Sequence, residues 1–335
     1  MNTPVAFIVF NRAECVRRTL AAIRLARPPR LLIIADGPRD SRPDDPAKCA
    51  AVRKLVEEGV DWPCEIERNY ATRNLGCAER LASGLTWAFS RSERLIVIED
   101  DCLPDPSFFG FCEELLERYA NDTRVGQISG CPMFFSEIDR ASSYIFSRYG
   151  SIWGWASWRR AWNYYDLKIE SWPRFSQGGG LDAVVHSQAE YKKRKRLYSE
   201  MHGAQVFDSW DYQWGYAKFS QGLLSVVPCR NLIENTGYGP DGTHYGPEDK
   251  FTLKRFSMER PLRHPEFVIP DLRFDRAFGA ADTKNMFGPP LWERALRKVK
   301  RLFATIAGSG APGRGSQGLH PAEDPILASN DSNRL

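Results

Sequence analysis

Nowhere in the 335 residues is there an apolar run approaching the roughly 18–20 residues of a membrane-spanning helix. The opening run Pro4–Phe10 is too short for the apolar core of a secretory leader, and no cleavage-like site follows it. The expectation is a cytoplasmic protein. Neither a Cys-x-x-Cys pair nor a Cys-x-x-Cys…His-x-x-x-His spacing occurs among the eight cysteines, which argues against a zinc site. The cysteines are scattered, mostly in apolar runs, as expected of buried free thiols in a reducing compartment. Charge of one sign is not in large excess either. A net charge of +4 suits a phosphate-bearing ligand or an anionic membrane surface, and it gives no ground for a nucleic-acid partner. Internal repeats are absent.

What is present is an alternation of apolar runs and helical periods. Val5–Phe10, Leu31–Ala35, Glu65–Asn69 and Leu95–Ile98 read as strands, the apolar ones as strands buried on both faces. Between them, a helix begins near Asn11, where Asn11 and Glu14 have capping-box spacing. Further helices are expected over Ala47–Glu58, Gly76–Ser90 and Ser107–Tyr119. Such alternation predicts βαβ units, hence a Rossmann-like α/β/α sandwich on a mostly parallel sheet. Ligands of such sheets bind beyond the carboxyl ends of the strands. Four polar groups fall there: Asn11-Arg12, Asp36-Gly37, Asn74 to Gly76, and Glu99-Asp100-Asp101.

The second half is less regular, with short strands at Gly126–Ser129, Ser143–Ser147 and Leu223–Val227 and a helix over Tyr212–Gln221. Val184–His202 reads as a basic helix whose Lys192–Arg196 run is a solvated face. Trp292–Ile306 is a basic amphipathic helix candidate. The expected organisation is a nucleotide-binding part over 1–124, an acceptor-side part over 125–250, an extension over 251–306 and a disordered tail over 307–335.

Three adjacent carboxylates at the mouth of an apolar strand repel one another. They make sense around a hard divalent cation, Mg²⁺ or Mn²⁺, that shares its shell with phosphate and water. A capping turn before the next helix would need only one Asp. Ile98-Glu99-Asp100-Asp101, followed by Pro104-Asp105 and Phe108-Phe109, resembles the metal-binding DxD-type segment of GT-A glycosyltransferases. It is nearest to the Golgi N-acetylglucosaminyltransferase that begins complex N-glycans and to related bacterial sugar transferases. The resemblance continues through Phe10-Asn11-Arg12, Ala35-Asp36-Gly37, Gly154-Trp155, Trp210-Asp211 and Thr243-His244.

The resemblance implies a GT-A fold and an inverting transfer of a hexosyl or N-acetylhexosaminyl group. The donor would be a nucleoside-diphosphate sugar, UDP by the resemblance, and the acceptor a glycan or glycolipid, as in surface polysaccharide synthesis. Asn11, Arg12, Asp36, Asn74, Gly76, Arg80, Glu99 and Asp100 would serve the nucleotide, with Gly154 and Trp155 in a donor and acceptor loop. Asp101 and His244 would hold the metal. Of Trp153 and Trp155, one is expected in the core and one facing the cleft. The base that takes the acceptor proton is expected to be Asp211, with Asp208 in reserve. Peripheral contact of the basic segments with anionic lipid would suit a lipid-linked acceptor. A sugar-nucleotide nucleotidyltransferase would share the sheet and the metal, but it would carry a glycine-rich loop where Phe10-Asn11-Arg12-Ala13-Glu14 stands. A non-catalytic carbohydrate-binding protein on the same fold is the other alternative.

Overall fold

The computed structural model describes residues 1–204, 208–237 and 253–285. Its first part runs β1 (Val5–Val9), α1 (Ala13–Ala26), β2 (Arg30–Ala35), α2 (Asp45–Glu58), β3 (Glu65–Tyr70), α3 (Gly76–Arg91) and β4 (Arg94–Glu99). Then follow β5 (Cys102–Pro104), α4 (Ser107–Arg118), β6 (Val125–Ser129), β7 (Tyr144–Ser147), β8 (Trp155–Trp158) and α5 (Arg159–Trp162). The remaining elements are α6 (Trp172–Gln177), α7 (Gln188–Gly203), α8 (Asp211–Gln221), β9 (Leu224–Pro228), β10 (Ile233–Asn235) and α9 (Leu272–Asn285).

One eight-stranded sheet has the order β3-β2-β1-β4-β8-β6-β9-β7. The strands β3, β2, β1 and β4 are mutually parallel. Antiparallel β8 joins β4 to β6, β9 pairs parallel with β6, and β7 closes the far edge antiparallel. This is the expected Rossmann-like α/β arrangement with a mostly parallel sheet. It passes position 124 without a break, since β4 and β8 are hydrogen-bonded neighbours.

The layers follow from strand alternation. Val5, Phe7 and Val9, with Leu31, Ile33, Ile96 and Ile98, pack against α1, α2 and α4. Ala6, Ile8, Leu32, Ile34, Leu95 and Val97 face α3 and a tryptophan cluster instead. A third cluster joins β7, β9, α6, α7, α8 and α9.

Several local expectations are corrected. The residue preceding α1 is Arg12, with no side-chain cap; Asn11 Nδ2 instead donates to Asp45 Oδ1 at 2.8 Å, so no capping box forms. Arg194, inside the supposed solvated basic face, is buried. Its guanidinium donates to Glu190 and Asp282 at 2.7 and 2.8 Å, which locks α7 to α9. The segments 292–306 and 307–335 lie outside the described residues.

Candidate active site at the carboxyl end of the sheet

Chain order reverses between β1 and β4: β2 and β3 lie on one side of β1, and β4 lies on the other. A crevice opens at the carboxyl ends of the strands at such a point. Arg12, just past β1, spans it. Its Nη2 donates to Asp100, and to Asp101 Oδ2 at 2.9 Å. Burial alone would lower the pKa of Arg12, but the two carboxylates outweigh it and keep the guanidinium charged. Asp100 is buried and is further fixed by the Phe10 N–H at 3.4 Å; its own carbonyl accepts from the Thr19 hydroxyl at 2.8 Å. Burial pushes Asp100 up to about 6, with Arg12 opposing and Asp101 adding to the rise.

Glu99 is the member that lacks a partner. Its Oε1 is sealed from water and accepts no hydrogen bond. Burial first, then Asp101 and Asp100, hold its pKa well above the usual carboxylate range. Asp105 does close the turn into α4, accepting from the Ser107 N–H at 2.9 Å. That role is therefore filled without the three carboxylates before it.

A second group sits one strand over. Asp36 directly follows β2 and is buried. It accepts from the N–H groups of Gly37 and Leu75 at 2.8 and 3.0 Å and from Asn74 Nδ2 at 2.9 Å. Burial raises its pKa against those N–H groups. Asp36 thus ties the β2 turn to the turn that starts α3. Gly76 begins that helix at φ +79°, a left-handed backbone that glycine adopts without strain. Arg80, one turn on, is buried and donates to both the carbonyl and the side chain of Asn69. Burial lowers its pKa, and Asp36 opposes.

The carboxylates of the second half reach the same crevice. Asp208 Oδ1 accepts from the Ala78 N–H at 3.3 Å, in the first turn of α3, where helix dipole and free N–H groups favour an anion. Asp211 opens α8, and its carboxylate accepts from the Ser209 hydroxyl. The charges of Glu99, Asp208, Asp211 and Asp101 all act on the Cys77 thiol, whose pKa burial and those anions raise. Glu99, Asp101, Asp208 and Asp211 thus lie around Cys77 in the first turn of α3, and Asp36 is tied to the same turn through the Leu75 N–H.

Tryptophan packing sets the position of Asp211. Trp155, on β8, is fully buried and stacks on Trp210 at 5.8 Å between ring centres. It also meets Trp214 at 5.7 Å. Trp210 and Trp214 bracket the first turn of α8. The expectation that one of Trp153 and Trp155 faces the cleft is corrected: both are buried, at 6% and 0% exposure. No ring face of Trp155 is open to a sugar. Gly154, at φ +56°, packs its backbone against Ile233, where a Cβ would stand 2.5 Å from Cδ1.

The sequence reading missed Thr236 and Gly237. The short strand β10 pairs antiparallel with β5, placing Asn235 opposite Cys102. Thr236 then donates its N–H to the Asp101 carbonyl at 2.7 Å, and Gly237 crosses so close to the Asp101 carboxylate that a Cβ there would collide with it. β10 is Ile-Glu-Asn and carries no apolar pattern, so nothing local marked the Thr-Gly step that follows it. His244 lies outside the described residues.

The donor set can be tested against the implied cation. Among the described residues no group of three or more acidic, histidine or cysteine side chains is arranged to hold a metal by itself. The buried Oε1 of Glu99, which accepts no hydrogen bond, and the nearby Asp101 carboxylate are hard oxygen donors. That set fits Mg²⁺ or Mn²⁺ bound in the usual way for phosphate chemistry, by one or two carboxylates with phosphate and water completing the shell.

No family model matches the chain, and no curated protein matches it. Among solved structures it is similar to the mannosyltransferase PcManGT from Pyrobaculum calidifontis, determined in complex with GDP-Man and Mn²⁺. The two are 12% identical over 65% of this chain and 70% of that one, with a TM-score of 0.34.

Proposed function

We propose that the chain is a metal-dependent glycosyltransferase that moves a hexosyl or N-acetylhexosaminyl group from a nucleoside-diphosphate sugar to a hydroxyl of a glycan or glycolipid. One observation carries this reading. The Arg12–Asp100–Asp101 ion pair, the buried Oε1 of Glu99 without a hydrogen bond, and the charges of Asp101, Asp208 and Asp211 acting on Cys77 support it, near the point where strand order reverses.

In this reading Asn11, Arg12, Asp36, Asn74, Gly76, Arg80 and Asp100 border the nucleotide, and Asp101 with Glu99 holds the cation, joined by His244. A bound Mn²⁺ or Mg²⁺ supplies positive charge to the departing diphosphate. Asp211 is the base, because Asp208 is engaged at the N-terminus of α3. As the acceptor oxygen bonds to the anomeric carbon, its proton passes to Asp211 and the bond from that carbon to the diphosphate oxygen breaks. The nucleoside diphosphate leaves, and configuration inverts. UDP as the donor nucleotide follows from the sequence resemblance.

The test is calorimetric titration of UDP-, GDP- and dTDP-sugars with Mn²⁺ and with chelator. One of them is expected to bind at least tenfold more tightly with metal, and equal affinity in chelator defeats the metal assignment. Asp211→Asn should then bind that donor like the parent and lose transfer by about 10²–10⁴-fold. Loss of donor binding instead moves the base elsewhere.

A further inference from the structure

Three of the five large apolar side chains exposed among the described residues fall within six consecutive positions. These are Phe267 at 61% exposure, Ile269 at 65% and Leu272 at 44%. Their exposure has a structural cause. The segment is tied to the edge strand β7 at two places. At one end, the Ser143 N–H donates to the Arg263 carbonyl at 2.8 Å and the Arg263 N–H donates to the Ser143 hydroxyl at 2.9 Å. At the other, Pro270 bridges Phe146, and the Asp271 N–H donates to the Phe146 carbonyl at 2.7 Å. The segment thus spends seven residues between points that the neighbouring strand spans in three, so the chain between must arch outward. Val268 turns in to the main core, and its neighbours Phe267 and Ile269 turn out, as alternation requires.

The surroundings of this apolar ridge are basic. Arg263, Arg273 and Arg276 are exposed, and none makes an ion pair among the described residues. Leu272 and Arg276 are four apart on α9 and share its outer face. The acids nearby are mostly spent: Asp271 on Arg140 at 2.7 Å and buried Asp275 on Arg148 at 3.2 Å, with Glu266 and Asp139, which lines the same cavity as Arg263, the exposed exceptions. Apolar side chains raised on a tethered arch and rimmed by uncommitted arginines match the composition of a bilayer interface, hydrocarbon beneath anionic headgroups.

We infer that the Phe267–Ile269–Leu272 ridge, with Arg263, Arg273 and Arg276, is a docking face for an anionic phospholipid surface. It is distinct from the Lys192–Arg196 run, whose central arginine is buried, and it depends on no step of the proposed transfer.

Vesicle co-sedimentation of the full chain tests it, with phosphatidylcholine alone and with added phosphatidylglycerol. The parent is expected to partition onto the anionic vesicles and to be released by salt. Phe267→Ser with Ile269→Ser should lower the partition coefficient by about tenfold or more. Arg273→Glu with Arg276→Glu should lower it about fivefold per residue, on anionic vesicles only. The thermal midpoints of these variants should match the parent, because the altered side chains are exposed. Three results overturn the inference: no binding by the parent, undiminished binding by the serine variant, or a dimeric parent in light scattering that the serine variant converts to monomer.

Discussion

Replacing Arg12 tests the electrostatics of the crevice directly, without a ligand. Arg12→Met keeps the aliphatic stem and removes the charge that faces Asp100 and Asp101. The side chains of Arg12, Asp100 and Asp101 are 23%, 5% and 19% exposed, so water screens the group only in part. Breaking a fully buried pair costs about 3–5 kcal/mol. With this degree of screening we expect about 2–3 kcal/mol at pH 8. For a chain of this size that lowers the melting midpoint by roughly 3–5 °C. The pH dependence carries a sign. Asp100 already titrates near 6 with Arg12 present, because burial raises it. Without Arg12 its pKa rises further, so the charged form penalises the fold above that pKa, and protonation relieves the penalty below it. The deficit of the variant should therefore shrink as pH falls from 8 to 5. Adding Asp100→Asn should recover most of the loss, since the remaining anions repel less. Differential scanning calorimetry or urea melts at pH 5, 6.5 and 8 read all three. A deficit that is constant with pH, or one that Asp100→Asn deepens, refutes the account.

Two further predictions concern the scaffold. Buried Lys218 donates to Gln127 and, at 2.9 Å, to Ser225; burial, with Arg194 adding, lowers its pKa to about 7. The unfolded chain then binds the extra proton from about pH 7 up to the ordinary lysine value. Stability should rise with pH above 7, by at most about 1.4 kcal/mol per pH unit, and Lys218→Met should lack that rise in urea melts between pH 7 and 8.5. Parallel curves would mean that the lysine stays charged in the fold. Gly154→Ala forces a side chain onto a φ of +56° and against Ile233, so it should cost about 2–5 kcal/mol; a loss below 1 kcal/mol would show that β8 shifts freely.

The first half of the fold was legible because it obeys one period at a time. Leu31–Ala35 and Leu95–Ile98 are apolar on both faces since both faces are covered, and the helices between them carry a single apolar stripe. The polar turns could be located for the same reason: each directly follows a strand. What could not be read was pairing at long range. β8 is Trp-Ala-Ser-Trp, with no apolar alternation to mark it, and it is a strand because β4 and β6 flank it. β10 is three residues long and exists through β5, so the crossing of Thr236 and Gly237 over Asp101 has no local signature. Arg194 reads as surface because it stands in a basic run; Glu190, one turn earlier, and Asp282, far along the chain, bury it. Trp210, Tyr212 and Trp214 surround Asp211 in the sequence. Trp210 and Trp214 belong to the core that fixes α8, so ring packing decides where Asp211 sits, and its hydrogen bond comes from Ser209.

The carboxyl end of the sheet carries an excess of acidic groups. Five carboxylates, Glu99, Asp100, Asp101, Asp208 and Asp211, meet one guanidinium, Arg12, which is shared between two of them. Asp208 is met by a helix N-terminus and Asp211 by a hydroxyl, both weaker than a full counter-charge. Glu99 has neither. A fold under selection for stability alone would relieve this with one amide or one more arginine, since burial either costs an unpaired anion several kcal/mol (about 2–5) or makes the group hold its proton, as the raised pKa of Glu99 shows. Local rules are broken in this way where function requires it. The surplus has one sign and hard donor atoms, and it lies at the point where a phosphate ligand of an open α/β sheet is expected. A cation that arrives together with an anionic ligand resolves all three features at once, whereas a ligand bringing only negative charge would worsen them.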